Sequence, residues 1–287
     1  MPDPDLSSIT RLIVSYNSGQ VIADCLDAIP DQPTVVIDND SKDNSAQICR
    51  QRSNTKVIET GTNAGFGAGV NRGFAEIDTA WTLVINPDAI LDASNLQRLL
   101  DCAQKYPGAG MIAPAIVDND GVPDHSHDKA LHRRLGMTRK RLDPLPEGAV
   151  CAEFLSGAAF MVRTDVAKKI GGFDEAFFLF YEDDEFCWRI ADAGYSLILE
   201  PGASAMHLGG TSTPPSARIA YRRDYHMGRS LTLYRQKHLG PTRAVLMALS
   251  DAPALCAKAI LRSLTGNWSK AARDWGRLNG TLSRFFG

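Results

Sequence analysis

The sequence predicts an α/β protein with a Rossmann-like, mainly parallel sheet flanked by helices and a helical appendage at the C-terminus. Short β-branched runs alternate with stretches of helical apolar spacing through the first third of the chain. The links between them are short, as in βαβ units. Beyond residue 216 the apolar spacing is helical and basic residues recur. A chain of 287 residues can bury the core of one large α/β domain with such an appendage.

Four strands are predicted in the N-terminal part. They are residues 9–15 (ITRLIVS), 34–38 (TVVID), 55–59 (TKVIE) and 81–85 (WTLVI). A helix is predicted after Ser18, a capping residue, and a second one at AQICRQR. Because right-handed crossovers place the loops that follow parallel strands along one sheet edge, we expect a ligand site at that edge.

Polar clusters follow these strands. They are Tyr16-Asn17-Ser18, Asp38-Asn39-Asp40, residues 63–73 (NAGFGAGVNRG) and Asn86-Pro87-Asp88. Residues 63–73 lack the G-x-G-x-x-G spacing, and the chain has no P-loop. A glycine-rich turn into a helix that carries Asn71 and Arg72 can still approach a phosphate and neutralise it. Tight packing of that helix on the sheet would explain the glycines equally well.

Asn86-Pro87-Asp88 ends the apolar strand WTLVI. A carboxylate at the end of a strand is well placed for a divalent cation such as Mg²⁺, which takes its other oxygens from phosphates and water. Asn-Pro-Asp is also ordinary turn chemistry, so both interpretations stay open.

The stretch FYEDDEFCWR, residues 180–189, places four carboxylates in a row beside aromatic residues. If a helix starts at Glu182, Asp183 shares one face with three apolar residues of the following turns. Glu185 and Arg189 form a favourable i,i+4 pair, and the helix dipole favours Glu182 in the first turn. We therefore expect one inward carboxylate, Asp183, whose desolvation suits it to act as a general base. An ordinary helix cap would account for two of the four acids.

A strand predicted at 195–199 (YSLIL) precedes His207 and the turn Gly209-Gly210-Thr211-Ser212. Backbone amides and hydroxyls of such a turn suit a phosphate, and an imidazole can complete the coordination of Mn²⁺. A lone histidine is more often structural.

The charge of the chain is unevenly distributed. The formal net charge is -2, but residues 216–287 hold 13 Lys and Arg against 3 Asp. This basic tail is predicted either to meet an anionic partner such as a membrane surface or to present a solvated helical face. The six cysteines are scattered without a C-x-x-C pair, which favours reduced thiols in a cytoplasmic protein. No signal peptide is evident, and no apolar run approaches about 18 residues, so no membrane span is expected.

The ordered motifs resemble a known family. YNS, D-N-x-S-x-D, N-x-G-F-G-x-G-x-N-x-G, NPD, SGAAFMVR, GGFDExFFLFYEDDEFCWR and H-x-x-G-x-S look like a family 2 glycosyltransferase of the GT-A fold, especially bacterial rhamnosyltransferases of surface polysaccharide synthesis. The resemblance covers residues 9–213. It implies a catalytic domain at 1–213, with a nucleotide-sugar half at 1–117 and an acceptor and base half at 118–213, followed by the basic helical region 214–287.

The resemblance also implies roles for individual residues. Asp183 matches the base that deprotonates the acceptor hydroxyl during inverting transfer. Asp88 and His207 match residues that contact Mg²⁺ or Mn²⁺, although Asn86 replaces the first acid of the family's D-x-D. The positions that match the donor-nucleotide site are Tyr16, Asn17, Asp38, Asn63, Gly65, Asn71, Arg72 and Asn86. Supporting positions around the base and phosphate are Glu182, Trp188, Arg189, Thr211 and Ser212.

The implied partners are a dTDP- or UDP-linked sugar, with rhamnose as the best choice, and a glycan or lipid-linked acceptor. The basic segment 125–141 is either an acceptor loop or a solvated loop. The basic tail would place the protein peripherally on the inner face of the cell membrane, and no nucleic acid is expected as a partner. Packing of the tail on the catalytic domain or in a homodimer, a sugar nucleotidyltransferase activity and a non-catalytic binding role are the alternatives.

Overall fold

The computed structural model describes residues 5–124, 126–130, 134–136, 144–209 and 216–286. A short 3-10 turn at Leu6–Ser8 leads into the first half of the fold. Its strands are β1 (Ile9–Ser15), β2 (Thr34–Asp38), β3 (Thr55–Glu59), β4 (Trp81–Ile85) and β5 (Ala89–Ile90). The helices of this half are α1 (Ile22–Asp27), α2 (Ser45–Arg50), α3 (Phe66–Phe74) and α4 (Ala93–Lys105).

The second half of the fold carries shorter strands and ends in three long helices. Its strands are β6 (Ala109–Val117), β7 (His127–Asp128), β8 (Val150–Ala152), β9 (Phe154–Leu155), β10 (Ala159–Arg163) and β11 (Ser196–His207). The helices are α5 (Thr164–Lys169), α6 (Glu182–Asp192), α7 (Ala217–Leu239), α8 (Pro241–Leu264) and α9 (Trp268–Phe286).

The described strands form one main sheet in the order β3-β2-β1-β4-β10-β6-β11-β5, with β8 paired to β11. The pairs among β1, β2, β3 and β4 are all parallel, as predicted. The sheet then becomes mixed, because β10 runs antiparallel to both β4 and β6. The four predicted N-terminal strands have the observed bounds, so the carboxyl ends of β1, β2 and β4 meet at one edge.

Apolar side chains cover both faces of the sheet. Alternate residues of β1 point to opposite layers: Ile13 packs with α1 and α4, whereas Leu12 packs with α3 and α6. Such two-sided burial explains why the N-terminal strands read as continuous β-branched runs rather than as alternating ones. The sheet edge that carries the polar clusters is therefore held between two packed layers.

The strand predicted at 195–199 continues to His207. Its pairing with β6 shifts register between Glu200 and Ser204, where Pro201 and Gly202 interrupt the ladder. The interruption hid the second part of the strand from sequence reasoning. The continuation places His207 beside Ala89 of β5.

Three tail helices pack together, and α7 packs on the catalytic domain. Tyr234 and Leu233 of α7 lie in a small core with Phe177 and Tyr181, which precede α6. The Ser230 hydroxyl donates to the Leu179 carbonyl at 2.9 Å. The predicted alternative of a tail packed on the catalytic domain thus describes α7.

One helix of the tail bears on the expectation that no segment spans a membrane. Within the part of the chain that the structure describes, α8 is long and apolar enough to cross a membrane by length and composition, with a mean hydropathy of 1.6 over its most apolar window. Only 22% of that window is buried. Arg243, Asp251, Lys258 and Arg262 interrupt the apolar letters, which is why the sequence shows no long continuous run.

Candidate active site

Asp38 is buried at the carboxyl end of β2, and only one of its two carboxylate oxygens accepts a hydrogen bond from a described residue. Its Oδ2 accepts a hydrogen bond from the Ser41 amide at 3.0 Å. Its Oδ1 has no hydrogen-bond partner among the described residues. The adjacent Asn39 donates to the Gly65 carbonyl at 2.9 Å and ties this strand end to the glycine-rich loop. A buried acceptor without a donor is costly, so Asp38 is suited to receive an N–H group of a ligand.

Tyr16 and Asn17 occupy the loop after β1, next to Asp38. Tyr16 is 42% exposed, so its ring lies at the solvent side of this edge. Asn17 has a left-handed backbone with a φ of 52°. Its side-chain oxygen accepts from the Lys42 amide at 2.7 Å, which fixes the loop after β2 against the loop after β1. Asn17 thus shapes the edge through the backbone it holds.

The glycine-rich loop packs tightly against the segment that precedes α6. Gly65 has a φ of 98°, and a Cβ there would clash with the carbonyl oxygen of Phe178. The Phe66 amide donates to that same carbonyl at 3.2 Å. The Asn63 side chain accepts from the Gly65 amide at 3.0 Å and caps the turn. Packing therefore accounts for Gly65, and its approach to a phosphate stays a prediction.

Asn71 and Arg72 lie further along α3. The Asn71 side chain donates to the Phe173 carbonyl and accepts from the Phe173 amide, at 2.9 and 2.6 Å. It also donates to Glu175 at 2.9 Å, so it bridges α3 to the Gly-Gly-Phe-Asp-Glu turn. Arg72 is exposed. Direct contact of either residue with a donor stays a prediction.

Asp88 and His207 meet where β4 and β11 end. The Asp88 Oδ1 lies 3.2 Å from the His207 Nε2, and the Asp88 side chain is only 8% exposed. Asn86 completes the group, with its amide nitrogen 3.4 Å from the same imidazole atom. Sequence reasoning placed these three residues together, and the pairing of His207 with Ala89 explains how they meet.

The oxygen and nitrogen atoms of these side chains fit a divalent cation that also binds phosphate. No group of three His, Cys, Asp or Glu side chains that could hold a metal occurs among the described residues. Mg²⁺ and Mn²⁺ commonly use one or two protein carboxylates and take their remaining ligands from substrate phosphates and water. One carboxylate and one imidazole at the ligand edge match that requirement.

Asp183 lies in the first turn of α6 and is half-buried. The Gly157 amide donates to its Oδ2 at 3.2 Å, and the Asp184 amide donates to its Oδ1 at 3.0 Å. Burial raises the pKa of the Asp183 carboxyl to about 7, and the negative charge of Asp184 adds to the rise. A carboxylate with this pKa can accept a proton near neutral pH.

The expectation that only Asp183 faces inwards is wrong. Glu182, Asp184 and Glu185 are all more buried than Asp183, and Asp184 is fully buried. The reason is that the first turn of α6 is covered both by the chain around β9 and by Arg134. Burial raises the pKa of the Glu182 carboxyl well above its usual value, and its Oε2 has no hydrogen-bond partner among the described residues.

Arg134 is the functional neighbour that sequence reasoning missed. Its Nη2 donates to the Asp184 Oδ2 at 2.8 Å, and its Nε donates to the other carboxylate oxygen. The guanidinium lies over the Phe154 ring, 3.8 Å from its centroid. Arg134 belongs to the basic segment 125–141, and nothing in that run of basic letters separates a buried arginine from a solvated one.

The backbone that enters α6 is held in a strained conformation. Phe180 and Tyr181 have φ values of 67° and 65°, in the left-handed region that large residues rarely adopt. The Tyr181 ring packs against Tyr234 of α7, with centroids 5.5 Å apart. Phe178 stacks on His226 of the same helix at 4.4 Å. Since such strain persists only where the surroundings impose it, α7 helps to fix the start of α6.

The supporting residues have distinct positions. Arg189 donates to Glu185 at 2.7 Å and to the Ile170 carbonyl at 2.8 Å, which anchors α6 to the turn before it. Trp188 is partly exposed and makes an edge contact with His238 of α7. Thr211 and Ser212 lie outside the described residues.

Solved structures resemble this fold at low sequence identity. A mannosyltransferase, PcManGT from Pyrobaculum calidifontis, solved with GDP-Man and Mn²⁺, has a TM-score of 0.55 and 16% identity, with 98% of this chain and 87% of that chain covered. S. aureus TarS 1-349 in complex with UDP has a TM-score of 0.56 and 14% identity, with 96% and 90% covered. These likenesses establish the GT-A fold.

Curated relatives point to one class of enzyme. N-acetylglucosaminyl-diphospho-decaprenol L-rhamnosyltransferase of Mycobacterium tuberculosis is 29% identical over an alignment of 241 residues, with 74% of this chain and 77% of that protein covered. Rhamnosyltransferase WbbL of Escherichia coli is 24% identical over an alignment of 219 residues, with 68% of this chain and 81% of that protein covered. The resemblance to bacterial rhamnosyltransferases is therefore confirmed.

The family assignment decides between the functional alternatives. Residues 11–171, more than half of the chain, match the family described as glycosyl transferase family 2. A sugar nucleotidyltransferase and a non-catalytic binding protein are thereby set aside in favour of a glycosyltransferase of polysaccharide or glycan synthesis. The chain belongs to glycosyl transferase family 2.

Proposed function

We propose that this glycosyltransferase moves L-rhamnose from dTDP-rhamnose to a hydroxyl of a lipid-linked glycan, with inversion at the anomeric carbon. The observation that carries the reaction type is the half-buried Asp183, whose pKa is raised to about 7 at the start of α6. The similarity to the M. tuberculosis rhamnosyltransferase supports the choice of sugar and of a diphospho-lipid acceptor.

In the proposed reaction, Asp183 accepts the proton of the acceptor hydroxyl as its oxygen attacks the anomeric carbon. The bond from that carbon to the diphosphate oxygen breaks, and the nucleoside diphosphate leaves with the bonding electrons. The amides of Gly157 and Asp184 hold the two carboxylate oxygens in a fixed orientation, which keeps the base ready for the incoming hydroxyl. One base without a protein nucleophile is what single-step inversion requires.

The donor would bind along the edge formed by the ends of β1, β2 and β4. The free Oδ1 of Asp38 suits an N–H of a pyrimidine base. A divalent cation held by Asp88 and His207 would neutralise charge on the diphosphate. Tyr16 stands at the open side of the edge, where a ring can cover a base.

The experiment is a comparison of nucleotide sugars against the purified full chain. dTDP-rhamnose, UDP-galactofuranose and UDP-N-acetylglucosamine are tested for thermal stabilisation and for Mn²⁺-dependent release of the nucleoside diphosphate. We expect the largest stabilisation and the fastest release with dTDP-rhamnose. Preference for a UDP-sugar overturns the choice of donor, whereas release of pyrophosphate from a sugar phosphate and a nucleoside triphosphate overturns glycosyl transfer itself.

We further propose that α8 attaches the protein to the inner face of the cell membrane. Several large apolar side chains of this helix and the following turn are exposed: Leu246, Leu249, Ile260, Leu261, Leu264 and Trp268. Leu246 and Leu249 recur at helical spacing with Pro253, Ala257 and Ile260, so these five residues share one face of the helix. Arg243 and Lys258 are exposed on the same helix and suit anionic headgroups.

Flotation with anionic and neutral vesicles tests this attachment in the full chain. Truncation after Gly240 is unsuitable because it would remove α9, which packs along α7. The double variant Leu246→Ser/Leu249→Ser should lose most binding to anionic vesicles, and binding of the unaltered chain should fall as salt rises. Val122→Ser, which alters an exposed apolar residue of the catalytic domain, is the matched control. Equal binding by all three proteins overturns the proposed attachment.

A further inference from the structure

A cavity of about 580 Å³ lies between the catalytic domain and the tail helices. The entry to α6 forms one wall through Phe180 and Tyr181, and Arg134 contributes beside it. The other wall comes from the tail, including Leu231 of α7 and Arg277 of α9. This volume is in the range of small-molecule sites. None of the residues assigned to the donor or the metal lines it.

The tail side of this cavity carries an excess of positive charge. Three guanidinium groups surround one buried carboxylate, that of Asp224. They belong to Arg223, Arg273 and Arg277, at 3.5, 3.3 and 3.0 Å from its oxygens. One carboxylate neutralises one of these three cations, so the group keeps a surplus of two. This surplus of positive charge lines the cavity, where a bound anion would neutralise it.

The donor capacity of these arginines also exceeds what Asp224 can accept. Each guanidinium has five N–H donors. The Arg277 Nε is buried and has no hydrogen-bond partner among the described residues. The side chains of Arg223 and Arg273 are 50% and 48% exposed, so both can turn towards a ligand without giving up a buried position. Planar guanidinium groups with spare donors are the usual partners of phosphate oxygens.

The cavity adjoins the segment that enters α6, the helix that carries the proposed base Asp183. Tyr181 is two residues before Asp183 on the helix side. On the same side of the cavity, away from the tail, Asp124 is two residues before Ser126, whose carbonyl accepts from the Ser156 amide at 2.9 Å. The next amide along the chain, that of Gly157, donates to Asp183. Arg134, in the same wall, binds Asp184. A group in this cavity is therefore close to the carboxylate that would deprotonate the acceptor.

We propose that this cavity binds an anionic phosphate group of the acceptor, the diphosphate that joins its first sugar to the lipid. The proposal rests on the proposed function in taking the acceptor to be lipid-linked. The arginines around Asp224 hold the diphosphate, and the sugar next to it reaches Asp183 along the wall formed by Phe180 and Tyr181. The tail helices thereby contribute to acceptor recognition.

Binding of inorganic pyrophosphate to the full chain tests the site without any turnover. The titration is made in EDTA, and Asp88→Ala is included to identify binding at the donor edge. Arg223→Gln and Arg273→Gln each leave Asp224 with two arginines, so both should fold. We expect each to weaken pyrophosphate binding about tenfold, the loss of one charged hydrogen bond. Arg222→Gln, an exposed neighbour on α7 outside the cavity, should stay within about twofold of the unaltered chain.

A kinetic comparison separates acceptor binding from a structural role. With a diphosphate-linked N-acetylglucosaminyl lipid, the Arg223 and Arg273 variants should raise KM about tenfold and leave kcat and donor hydrolysis unchanged. With the same sugar on a neutral alkyl group, their KM should equal that of the unaltered chain. Equal pyrophosphate affinity in all variants, or loss of affinity only in Asp88→Ala, overturns the proposal. Failure of the unaltered chain to hydrolyse any nucleotide sugar would instead count against the proposed function, and the pyrophosphate titration would still decide the site.

Discussion

Two regions hold their polar side chains in different ways. The first is the donor edge, where β1, β2 and β4 end, and the second is the base helix α6, which carries Asp183. At the donor edge, Asp38 binds the amide of Ser41, three residues away, and Asn63 binds that of Gly65, two residues away. At the base helix, Asp184 binds Arg134 across 50 residues, and Asp183 binds the amide of Gly157 across 26. Local turns fix Asp38 and Asn63 at the donor edge, whereas its longer links, such as Asn17 to Lys42 and Asp88 to His207, join segments at the ends of strands. The base helix depends on segments that are distant in sequence, including the tail.

The largest expected effect is the loss of the base. Asp183→Asn keeps the shape of the side chain but removes its ability to accept a proton, so transfer should fall about 10²–10⁴-fold. Donor binding should stay within a few-fold, because the hydrogen bonds described for Asp183 go to Gly157 and Asp184 and not to the residues assigned to the donor. Asp192→Asn, an exposed acid at the other end of α6, should have no effect on either. Steady-state transfer rates and donor titration measure both quantities, and near-normal turnover by Asp183→Asn would remove this residue from the role.

The next effect concerns the long-range ion pair beneath the base. Arg134→Met leaves the fully buried Asp184 carboxylate without its guanidinium, which should lower the free energy of unfolding by about 3–5 kcal/mol. The double variant Arg134→Met/Asp184→Asn should recover much of that loss. Urea denaturation measures these changes.

An exposed ion pair provides the control for this comparison. Arg52 lies 2.7 Å from Asp27, whose side chain is 62% exposed. Arg52→Met should therefore cost about 1 kcal/mol or less. Equal losses for Arg134→Met and Arg52→Met would contradict the assignment of Asp184 as a buried charge that depends on Arg134.

At the donor edge, smaller and metal-dependent effects are expected. Asp88→Ala and His207→Ala should each weaken donor binding about 10–100-fold when Mn²⁺ is present, as for loss of a metal ligand or its support. In EDTA the variants and the unaltered chain should bind the donor equally weakly. Isothermal titration of dTDP with and without Mn²⁺ makes the comparison. Full transfer activity in excess EDTA would contradict a metal-binding role for Asp88 and His207, and Asn86-Pro87-Asp88 would then be an ordinary turn.

The smallest expected effect is the change of kcat/KM and of stability with pH. Asp183 acts as a base only when ionised, so kcat/KM should rise about tenfold per pH unit up to about 7 and then level off. The sign for stability is opposite. A carboxyl pKa raised from 3.8 to about 7 means that the folded protein binds this proton more tightly than the unfolded chain. Its contribution therefore lowers stability as pH rises between those values.

Asp183→Asn separates these two pH effects. The variant should be more stable than the unaltered chain at pH 8, because no partly buried carboxyl has to ionise. At pH 4 the difference should vanish. Thermal unfolding at the two pH values measures it, and an equal stability difference at both would show that ionisation of Asp183 does not contribute.

The contrast between local and long-range contacts also explains which features could be predicted from the sequence. The bounds of β1 to β4 follow from strand patterns, whereas the meeting of Asp88 with His207 was implied by the family resemblance and rests on the second part of β11, which those patterns did not reveal. The position of Asp183 on an apolar face follows from helical spacing. The full burial of Asp184 does not follow from helical spacing, because it depends on the ion pair with Arg134. A run of basic residues gives no sign of which arginine is buried. The packing of Tyr234 on Tyr181 depends likewise on the path of the whole tail.

Phe178 links the two regions, and this link has a consequence for the order of events in turnover. Its carbonyl accepts from the Phe66 amide at the start of α3, and its ring stacks on His226 of α7. A donor that orders the loop at 63–66 therefore also orders the backbone that enters the base helix. We expect a sequential mechanism in which the nucleotide sugar binds before the acceptor and the nucleoside diphosphate is the last product to leave.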